Sequence, residues 1–392
     1  MAAGFIEQEL QALQENSLYR RLRLVEGEQG PVLSLDGHNV LNFSSNNYLG
    51  LANHPALAAA AKDAIDRYGC GSGASRLISG NMTLHEELEN KIAELKGTEA
   101  ALVFNSGFQA NTGLLSTLVG DGDVIFSDAL NHASIIDGCR LSRAKVFVYG
   151  HSDLDQLQRG LNETAQHSRK LIVAESLFSM DGDEAPLVEI VDLAEKYGAM
   201  VMVDEAHATG VFEPSGAGLV AKLGLGERVL VQMGTLGKAL GGFGAYVAGS
   251  RALRDLLINR CRSFIFTTSL PPAVMAMGIA AINLVKQEPE RRQALRNNCE
   301  LLREGLQRLG FVLGASQSQI LPLIIGEATQ CMKISEYLLK NGVFAQGIRP
   351  PTVPPGTSRL RITLMATHTR EHIERALGVF AEAQKSKIED RG

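Results

Sequence analysis

Residues 199–207 read AMVMVDEAH, and residues 228–242 read RVLVQMGTLGKALGG. Each stretch starts with an apolar run of strand length and continues into polar residues, which are Asp204, His207, Thr235 and Lys238. Ligands of open α/β sheets bind outside the carboxyl ends of the strands. We therefore expect two neighbouring strands to direct an acid, a histidine, a hydroxyl group and an amine into one crevice.

Lys238 is the residue on which we expect the chemistry to depend. Small residues flank it, so a planar ring can approach its amine, and lysine forms Schiff bases with carbonyl groups, including that of pyridoxal phosphate. Asp204 could keep the pyridine nitrogen of such a ring protonated, and His207 could hydrogen-bond the ring hydroxyl. The alternative, a solvated loop lysine near a strand-end carboxylate, suits either residue alone better than the combined pattern.

Composition limits the class of protein. With 392 residues, the chain is longer than one hydrophobic core usually serves, so we expect one large domain and one or two smaller ones. A net charge of -5 gives no reason to expect nucleic acid as a partner. Five scattered cysteines without a CxxC pair favour reduced thiols in a cytoplasm over disulfides or a metal site. We recognise neither a signal peptide nor a run of about 20 apolar residues, so we expect no membrane segment.

The order of the elements predicts an α/β fold. Strand-length apolar runs alternate with helical patterns over residues 100–248, which indicates a mostly parallel central sheet with helices on both faces. A helical arm over Gly4 to Leu24 and a hairpin over Val32 to Phe43 precede this region, and a smaller α+β region follows it. We expect three parts, which are an N-terminal arm (1–44), a large domain (45–286) and a small C-terminal domain (287–392).

Residues 100–108 predict an anion site. An apolar strand is followed by the turn Asn105, Ser106, Gly107, and a helix begins near Phe108. Backbone N–H groups and the helix dipole converge at such a turn. We expect the cofactor phosphate to bind there.

We expect two of the histidines, His132 and His85, to lie in different environments. His132 follows a predicted strand over residues 123–128, where an imidazole could stack on a planar ring, although a structural role fits the position equally well. His85 lies in the first turn of a helix predicted over residues 83–96, and we expect it on the surface. Further along, residues 263–272 are predicted to form a strand that ends in hydroxyl groups.

Arg359 and Arg361 lie two residues apart on a predicted strand, so their side chains share one face. A fixed guanidinium fork binds a carboxylate well. A solvated strand face would show the same spacing, and the spacing alone does not choose between the two readings.

Motifs along almost the whole chain carry a resemblance. They are FSSNNYLGL (43–51), GSGASR (71–76), FNSGFQAN (104–111), NHAS (131–134), ESLFSMDGD (175–183), VDEAHATG (203–210), GTLGKALGG (234–242), FTTSLPP (266–272), IRPPTVPPGTSRLRIT (348–363) and THT (367–369). In this order they resemble the α-oxoamine synthases, a group of fold-type I pyridoxal-phosphate enzymes. The resemblance implies an aspartate-aminotransferase-like fold. The C-terminal motifs most resemble the members that act in biotin synthesis.

The resemblance also implies residue roles. Lys238 would carry pyridoxal phosphate as a Schiff base, Asp204 would pair with the pyridine nitrogen, His207 would contact the ring oxygen and His132 would stack on the ring. The other cofactor contacts that it implies are Gly107, Phe108, Ser179, Thr235 and, from the second subunit of a homodimer, Thr268. The substrate contacts that it implies are Asn46, Arg361, Thr352 and Arg20.

Among these, the resemblance assigns the amino-acid carboxylate to Arg361 and the acyl substrate to Thr352 and Arg20. The implied reaction condenses L-alanine with pimeloyl-CoA, or with its carrier-protein thioester, at a site on the subunit interface of a cytoplasmic homodimer. Two alternatives stay open, an enzyme that uses glycine with acetyl-CoA and a catalytically silent partner subunit. The complete set of Lys238, Asp204 and His207 argues against a silent subunit.

Overall fold

The computed structural model describes residues 4–15, 18–164 and 166–389. Its first elements are helix α1 (Gly4–Glu15) and strands β1 (Val25–Glu26), β2 (Val32–Leu35) and β3 (His38–Asn42). β2 and β3 form the predicted antiparallel hairpin, whose turn residues Asp36 and Gly37 both have positive φ. The predicted helical arm was too long. No residue of α1 is buried, so no packing extends the helix, and residues 18–24 are not helical.

The central sheet has seven strands. They are β4 (Ala100–Phe104), β5 (Val124–Asp128), β6 (Lys145–Tyr149), β7 (Lys170–Glu175), β8 (Met200–Asp204), β9 (Val231–Thr235) and β10 (Ala245–Gly249). Their spatial order is β4-β10-β9-β8-β7-β5-β6, and β10 is antiparallel to both of its neighbours while the other pairs are parallel. The prediction of a mostly parallel sheet is confirmed.

Helices cover both faces of this sheet. Along β5, Val124 and Phe126 belong to one hydrophobic core and Ile125 belongs to the other, because successive side chains point to opposite faces. The helices of this region are α2 (Pro55–Tyr68), α3 (Thr83–Lys96), α4 (Gly107–Leu118), α5 (Ala133–Ser142), α6 (Leu154–Glu163), α7 (Leu187–Tyr197), α8 (Leu219–Lys222), α9 (Arg251–Arg260), α10 (Arg262–Ile265) and α11 (Pro272–Gln287).

The C-terminal region is a smaller α+β unit. Its elements are α12 (Glu290–Arg308), β11 (Ile320–Gly326), α13 (Ala328–Lys340), β12 (Val343–Phe344), β13 (Gln346–Ile348), β14 (Ser358–Thr363) and α14 (Arg370–Glu389). Strands β11, β14 and β13 form an antiparallel sheet in that order. β12 instead pairs in parallel with β3, which places the N-terminal hairpin and the C-terminal region in one sheet. The division into three parts at residues 44 and 286 remains our proposal.

Two predicted strands were wrong in position or kind. The strand predicted over residues 228–232 is β9, three residues later, because pairing with β10 extends it to Thr235. Residues 263–272 form no strand. They begin in the short helix α10, whose Phe264 packs against Phe104 while Phe266 is 71% exposed, so the two aromatic rings do not share one strand face.

His85 is buried, contrary to the prediction of a surface position. Its Nε2 lies 2.7 Å from Ser269 Oγ and 3.1 Å from the Leu270 carbonyl oxygen, and its Nδ1 accepts from the Met82 N–H at 3.2 Å. Burial lowers the pKa of His85 to about 4. Ser269 and Leu270 follow it by about 185 residues in the chain, so local pattern does not reveal these two partners.

No helix in the described part of the chain combines the length and apolar character needed to cross a membrane. Within that same part, no group of three or more histidine, cysteine and acidic side chains is arranged to hold a metal ion.

Candidate active site

The predicted crevice lies at the carboxyl ends of β7, β8 and β9. Asp204 is the last residue of β8 and pairs in register with Glu175, the last residue of β7. Lys238 follows the end of β9 by three residues. Parallel strands bring their carboxyl ends to one edge of a sheet, and this is why motifs separated in sequence converge here.

Lys238 begins a hydrogen-bonded chain of side chains. Its Nζ lies 2.8 Å from His207 Nε2, and His207 Nδ1 lies 2.7 Å from the Tyr48 hydroxyl oxygen. Tyr48 donates to Asn46 Oδ1 at 3.1 Å, and both Arg361 Nη atoms donate to that same oxygen at 3.3 Å. Because the single Tyr48 proton points to Asn46, His207 donates from Nδ1 to Tyr48 and accepts from Lys238 at Nε2.

The surroundings of this chain lower the pKa values of both Lys238 and His207. Burial lowers the pKa of Lys238 to about 8, and Arg361 acts in the same direction, while Asp204 and Glu175 oppose the shift. Burial, together with the charges of Lys238 and Arg361, holds the pKa of His207 well below its ordinary value. The imidazole is therefore neutral near pH 7, as its accepting role requires.

Asp204 is held as a fixed acceptor. Its Oδ2 accepts from Asn111 Nδ2 at 2.9 Å, and its Oδ1 accepts from the Ala206 N–H at 2.9 Å. Asn111 also donates to Ser134 Oγ at 3.0 Å, so α4 and α5 both support the carboxylate. The side chain is buried, and a cationic ring nitrogen beside it would find a pre-positioned counter-charge.

The predicted anion turn has the expected form. Ser106 caps α4 by accepting from the Gln109 N–H, and Gly107 is the first helical residue. A Cβ at Gly107 would lie 3.0 Å from Met233 Cε, so this position has no spare room for a side chain. Phe108 is 49% exposed at the mouth of the turn. The turn therefore lies at a helix N-terminus, where backbone N–H groups and the helix dipole favour an anion.

Thr235 contacts the loop that carries Lys238, and Thr268 contacts the turn at Asn105. Thr235 Oγ1 donates to the Gly244 carbonyl at 2.9 Å and accepts from the Gly237 N–H at 3.1 Å, so it braces the loop that carries Lys238. Thr268 is exposed, and its carbonyl accepts from Asn105 of the same chain at 2.9 Å. A role for Thr268 across a subunit interface remains a proposal.

The two arginines of β14 are both buried, which excludes the solvated-face reading, but they do not act as one fork. Arg359 pairs with Asp181. Arg361 instead donates from Nε to the Ser179 carbonyl at 2.6 Å and directs its Nη atoms to Asn46. Arg361 alone therefore faces the crevice of Lys238 with neutral acceptors around it.

His132 caps α5 and exposes its ring to a cavity of about 760 Å³. Its Nδ1 lies 2.8 Å from Ser134 Oγ, and the partial burial of the ring lowers its pKa, with Asp204 opposing the shift and the Lys238 charge adding to it. Ser179 and Thr352 also border this cavity, together with Pro350, Pro351 and Val353. Arg20 lies outside it on an exposed segment, and the neighbouring Tyr19 carbonyl accepts from Arg349 at 3.4 Å.

Comparison with known proteins decides the family. The family model for class I and II aminotransferases matches residues 38–380. The chain belongs to this family. Within it, the chain is 54% identical over 379 residues to the 8-amino-7-oxononanoate synthase of Geobacter sulfurreducens, covering 96% of this chain and 97% of that protein.

Solved structures of the family agree with the fold. A serine palmitoyltransferase structure with a pyridoxal-phosphate internal aldimine superposes with a TM-score of 0.93 at 34% identity, covering 98% of both chains. The 8-amino-7-oxononanoate synthase of Francisella tularensis has a TM-score of 0.76 at 28% identity, covering 89% of this chain and 99% of that one. The resemblance and the fold class inferred from the motifs are confirmed.

Three residues near Lys238 and Asp204 were given no role from the sequence. Tyr48 and Asn111 lie inside quoted motifs, and Glu175 ends a predicted strand. Burial and the charge of Asp204 raise the pKa of Glu175 to about 8, while Lys238 opposes the shift. The strand-end position of Glu175 was a usable signal. Nothing local distinguishes Tyr48 or Asn111, because their partners lie 159 and 93 residues away.

Proposed function

We propose that this enzyme condenses L-alanine with a pimeloyl thioester, either pimeloyl-CoA or the carrier-protein form. The products are 8-amino-7-oxononanoate, the free thiol and carbon dioxide, as a step of biotin synthesis. The observation that carries the proposal is the convergence of Lys238, Asp204, His207 and Arg361 in a chain 54% identical over nearly its whole length to an 8-amino-7-oxononanoate synthase.

The described residues fit pyridoxal phosphate. Lys238 would hold it covalently, Asp204 would face the pyridine nitrogen, and the turn at Gly107 would take the phosphate. His132, exposed to the cavity, offers a flat ring as a stacking surface. When bound, this group supplies an electron sink for the bond broken at the substrate α-carbon.

Arg361, Lys238 and His207 each have a separate role in the proposed reaction. Arg361 would bind the alanine carboxylate and so would set which bond of the α-carbon is oriented for cleavage. Lys238, once its amine is free and neutral, removes the α-proton, a task suited to a pKa of about 8. His207 accepts a hydrogen bond from Lys238 and donates one to Tyr48, and these two contacts fix the orientation of its ring.

The cavity beside His132 is a suitable chamber for the pimeloyl chain. Its wall includes Pro350, Pro351, Val353 and Ile136, which are apolar, and Thr352. A seven-carbon acyl chain gains from such a lining, since burial of each CH₂ contributes about 0.8 kcal/mol. We propose that Thr352 and Arg20 contact the acyl substrate at this chamber and its approach.

We also propose that the enzyme is a homodimer of the cytoplasm. Exposed apolar side chains, which are Ile78, Phe108, Phe243 and Phe266, occupy loops and a helix start around the phosphate turn. A second subunit would cover them and could add Thr268 to the site. All five cysteines are unpaired, which suits a reducing compartment.

A spectroscopic titration tests the reaction. Purified protein with pyridoxal phosphate is titrated separately with L-alanine and glycine, and pimeloyl-CoA is then added. We expect L-alanine to perturb the cofactor band and pimeloyl-CoA to release CoA. A band that responds to glycine and turns over acetyl-CoA instead would contradict the substrate assignment.

The variant Lys238→Ala tests the covalent attachment. We expect it to lose the Schiff-base absorbance, whereas Lys62→Ala, on the exposed face of α2, keeps it. An unchanged cofactor spectrum in Lys238→Ala would remove the assignment.

A further inference from the structure

His151 lies outside the crevice of Lys238 and bridges two acidic side chains. Its Nδ1 donates to Asp128 Oδ1 at 3.1 Å and its Nε2 donates to Asp183 Oδ2 at 2.8 Å. The imidazole also stands edge-on to Phe178, with ring centroids 4.4 Å apart. No site motif contains His151, and the proposed reaction gives it no task.

The histidine carries a positive charge at neutral pH. Burial works against that charge, but the hydrogen bonds that His151 donates to Asp128 and Asp183, with the charges of both carboxylates, outweigh it and raise the pKa of His151 to about 10. A histidine with both ring nitrogens protonated can donate to two carboxylates at once, and a neutral one cannot.

Asp128 anchors the histidine to the large sheet. This residue ends β5, and its side chain is almost fully buried. It accepts from the Leu130 N–H at 2.8 Å and from the Ser152 N–H at 2.9 Å, in addition to His151. The acceptor is therefore fixed before the histidine binds to it.

Asp183 belongs to a tight loop, residues 176–185, that connects β7 with α7. Within the loop, the Phe178 N–H donates to the Asp183 carbonyl at 3.0 Å, and the Gly182 N–H donates to the Phe178 carbonyl at 2.8 Å. These bonds make residues 178–183 one compact unit. A contact that fixes the position of Asp183 therefore also restricts the position of Ser179.

The opposite side of the same loop meets β14. Ser179 presents its carbonyl to Arg361 Nε at 2.6 Å, and Asp181 pairs with Arg359. The Ser179 carbonyl holds the guanidinium group at Nε, while the two Nη atoms face Asn46.

We propose that His151, clamped between Asp128 and Asp183, is a positioning residue that sets the orientation of Arg361 for the amino-acid carboxylate through the Ser179 carbonyl. The inference rests on the proposed role of Arg361 as the carboxylate grip. It adds a residue that lies outside all the quoted motifs, after the end of β6 and between NHAS (131–134) and ESLFSMDGD (175–183).

The test compares two ligands that differ at the carboxyl group. L-alanine has the carboxylate and L-alaninamide lacks it, and the affinity of each is read from the change in cofactor absorbance of the holoenzyme. For His151→Gln and for Asp183→Asn, we expect L-alanine to bind roughly tenfold more weakly, the size of a lost hydrogen bond to a charged group. We expect L-alaninamide affinity to change by less than about twofold, because Arg361 contributes little to its binding.

The double variant His151→Gln, Asp183→Asn should bind L-alanine no more weakly than the weaker-binding single variant. Both substitutions act on the same contact between His151 and Asp183, so their effects should not add. Glu184→Gln is the matched control. It removes a carboxylate from the same loop whose partner, Lys222, is exposed, and it should leave both affinities unchanged.

The outcomes separate the two proposals. If Arg361→Gln leaves L-alanine binding intact, the carboxylate grip itself is wrong. If Arg361→Gln weakens L-alanine binding but the His151 and Asp183 variants do not, Arg361 does bind the carboxylate, and the positioning role of His151 is overturned. An equal loss for both ligands in the His151 and Asp183 variants would show a structural role only and would also overturn the clamp.

Discussion

At the scale of single residues, the charge environment of Lys238 governs how the site takes up its cofactor. A pKa of about 8 means that the amine is mostly protonated at pH 7 and mostly neutral at pH 9. Only the neutral amine attacks a carbonyl. We expect the rate at which the cofactor-free protein incorporates pyridoxal phosphate to rise with pH around a midpoint near pH 8 and to level off above about pH 9, as measured by stopped-flow absorbance.

Two variants assign that midpoint to Lys238. Removing the positive charge in Arg361→Gln should move it to higher pH, because Arg361 lowers the lysine pKa. Removing the negative charge in Asp204→Asn should move it to lower pH, because Asp204 raises the lysine pKa. The ionisable groups of the cofactor itself are the same for the wild-type protein and both variants, so they do not account for a difference in midpoint. A midpoint that is the same in all three would contradict the prediction.

At the scale of elements, a buried ion pair ties α3 to the end of β8. Lys96, the last residue of α3, pairs with Glu205, and neither side chain has any exposed surface. Lys96 also donates to the Ala217 carbonyl, while Glu205 accepts from the Val220 N–H at 2.9 Å. Lys96, which lies outside the crevice, thus fixes the segment that begins with Asp204 through its contact with Glu205.

We expect Lys96→Met to lower the free energy of unfolding by about 3–5 kcal/mol, because it leaves the Glu205 carboxylate buried without its partner. The double variant Lys96→Met, Glu205→Gln should recover part of that loss. Denaturant unfolding measures both. As a control, Arg67→Met breaks the exposed pair with Asp63 and should cost less than about 1 kcal/mol. A Lys96→Met effect as small as the control would contradict the prediction.

Sequence patterns were most informative where an element is determined by its own residues. α3 has the predicted bounds, since a polar first turn begins it and Gly97 follows it. Patterns failed where a distant partner decides the outcome. β9 is displaced because β10 extends it, and His85 is buried by Ser269 and Leu270.

The same distinction applies to the candidate site. Lys238, Asp204 and His207 follow strand ends, so general rules for α/β sheets could select them. The separation of Arg359 from Arg361 depends on Asp181 and Ser179, which a strand pattern does not reveal.

At the scale of the whole molecule, the exposed apolar side chains around the phosphate turn make assembly testable. Ile78 is 81% exposed and Phe266 is 71% exposed, and the segments that carry them are joined where the Ser269 N–H donates to the Ala74 carbonyl at 3.0 Å. We expect Ile78→Asp to shift the protein from dimer to monomer in sedimentation velocity, because a buried charge without a partner opposes association.

Cofactor retention should fall in the same Ile78→Asp variant if a second subunit completes the site. Val312→Asp, at an equally apolar position that is 67% exposed beside β11, should change neither property. Dimers that persist in Ile78→Asp at micromolar concentration would argue that this surface is not the interface.

The pairing of β3 with β12 has a consequence for how the chain is made. Ser44 and Phe344, which meet where these strands join, are 300 residues apart. Translation at ~5–20 residues per second leaves roughly 15–60 s between the emergence of the two strands from the ribosome. For that time the hairpin shows an unpaired edge to neighbouring nascent chains. A ribosome that stalls before residue 343 would hold the protein with that edge open.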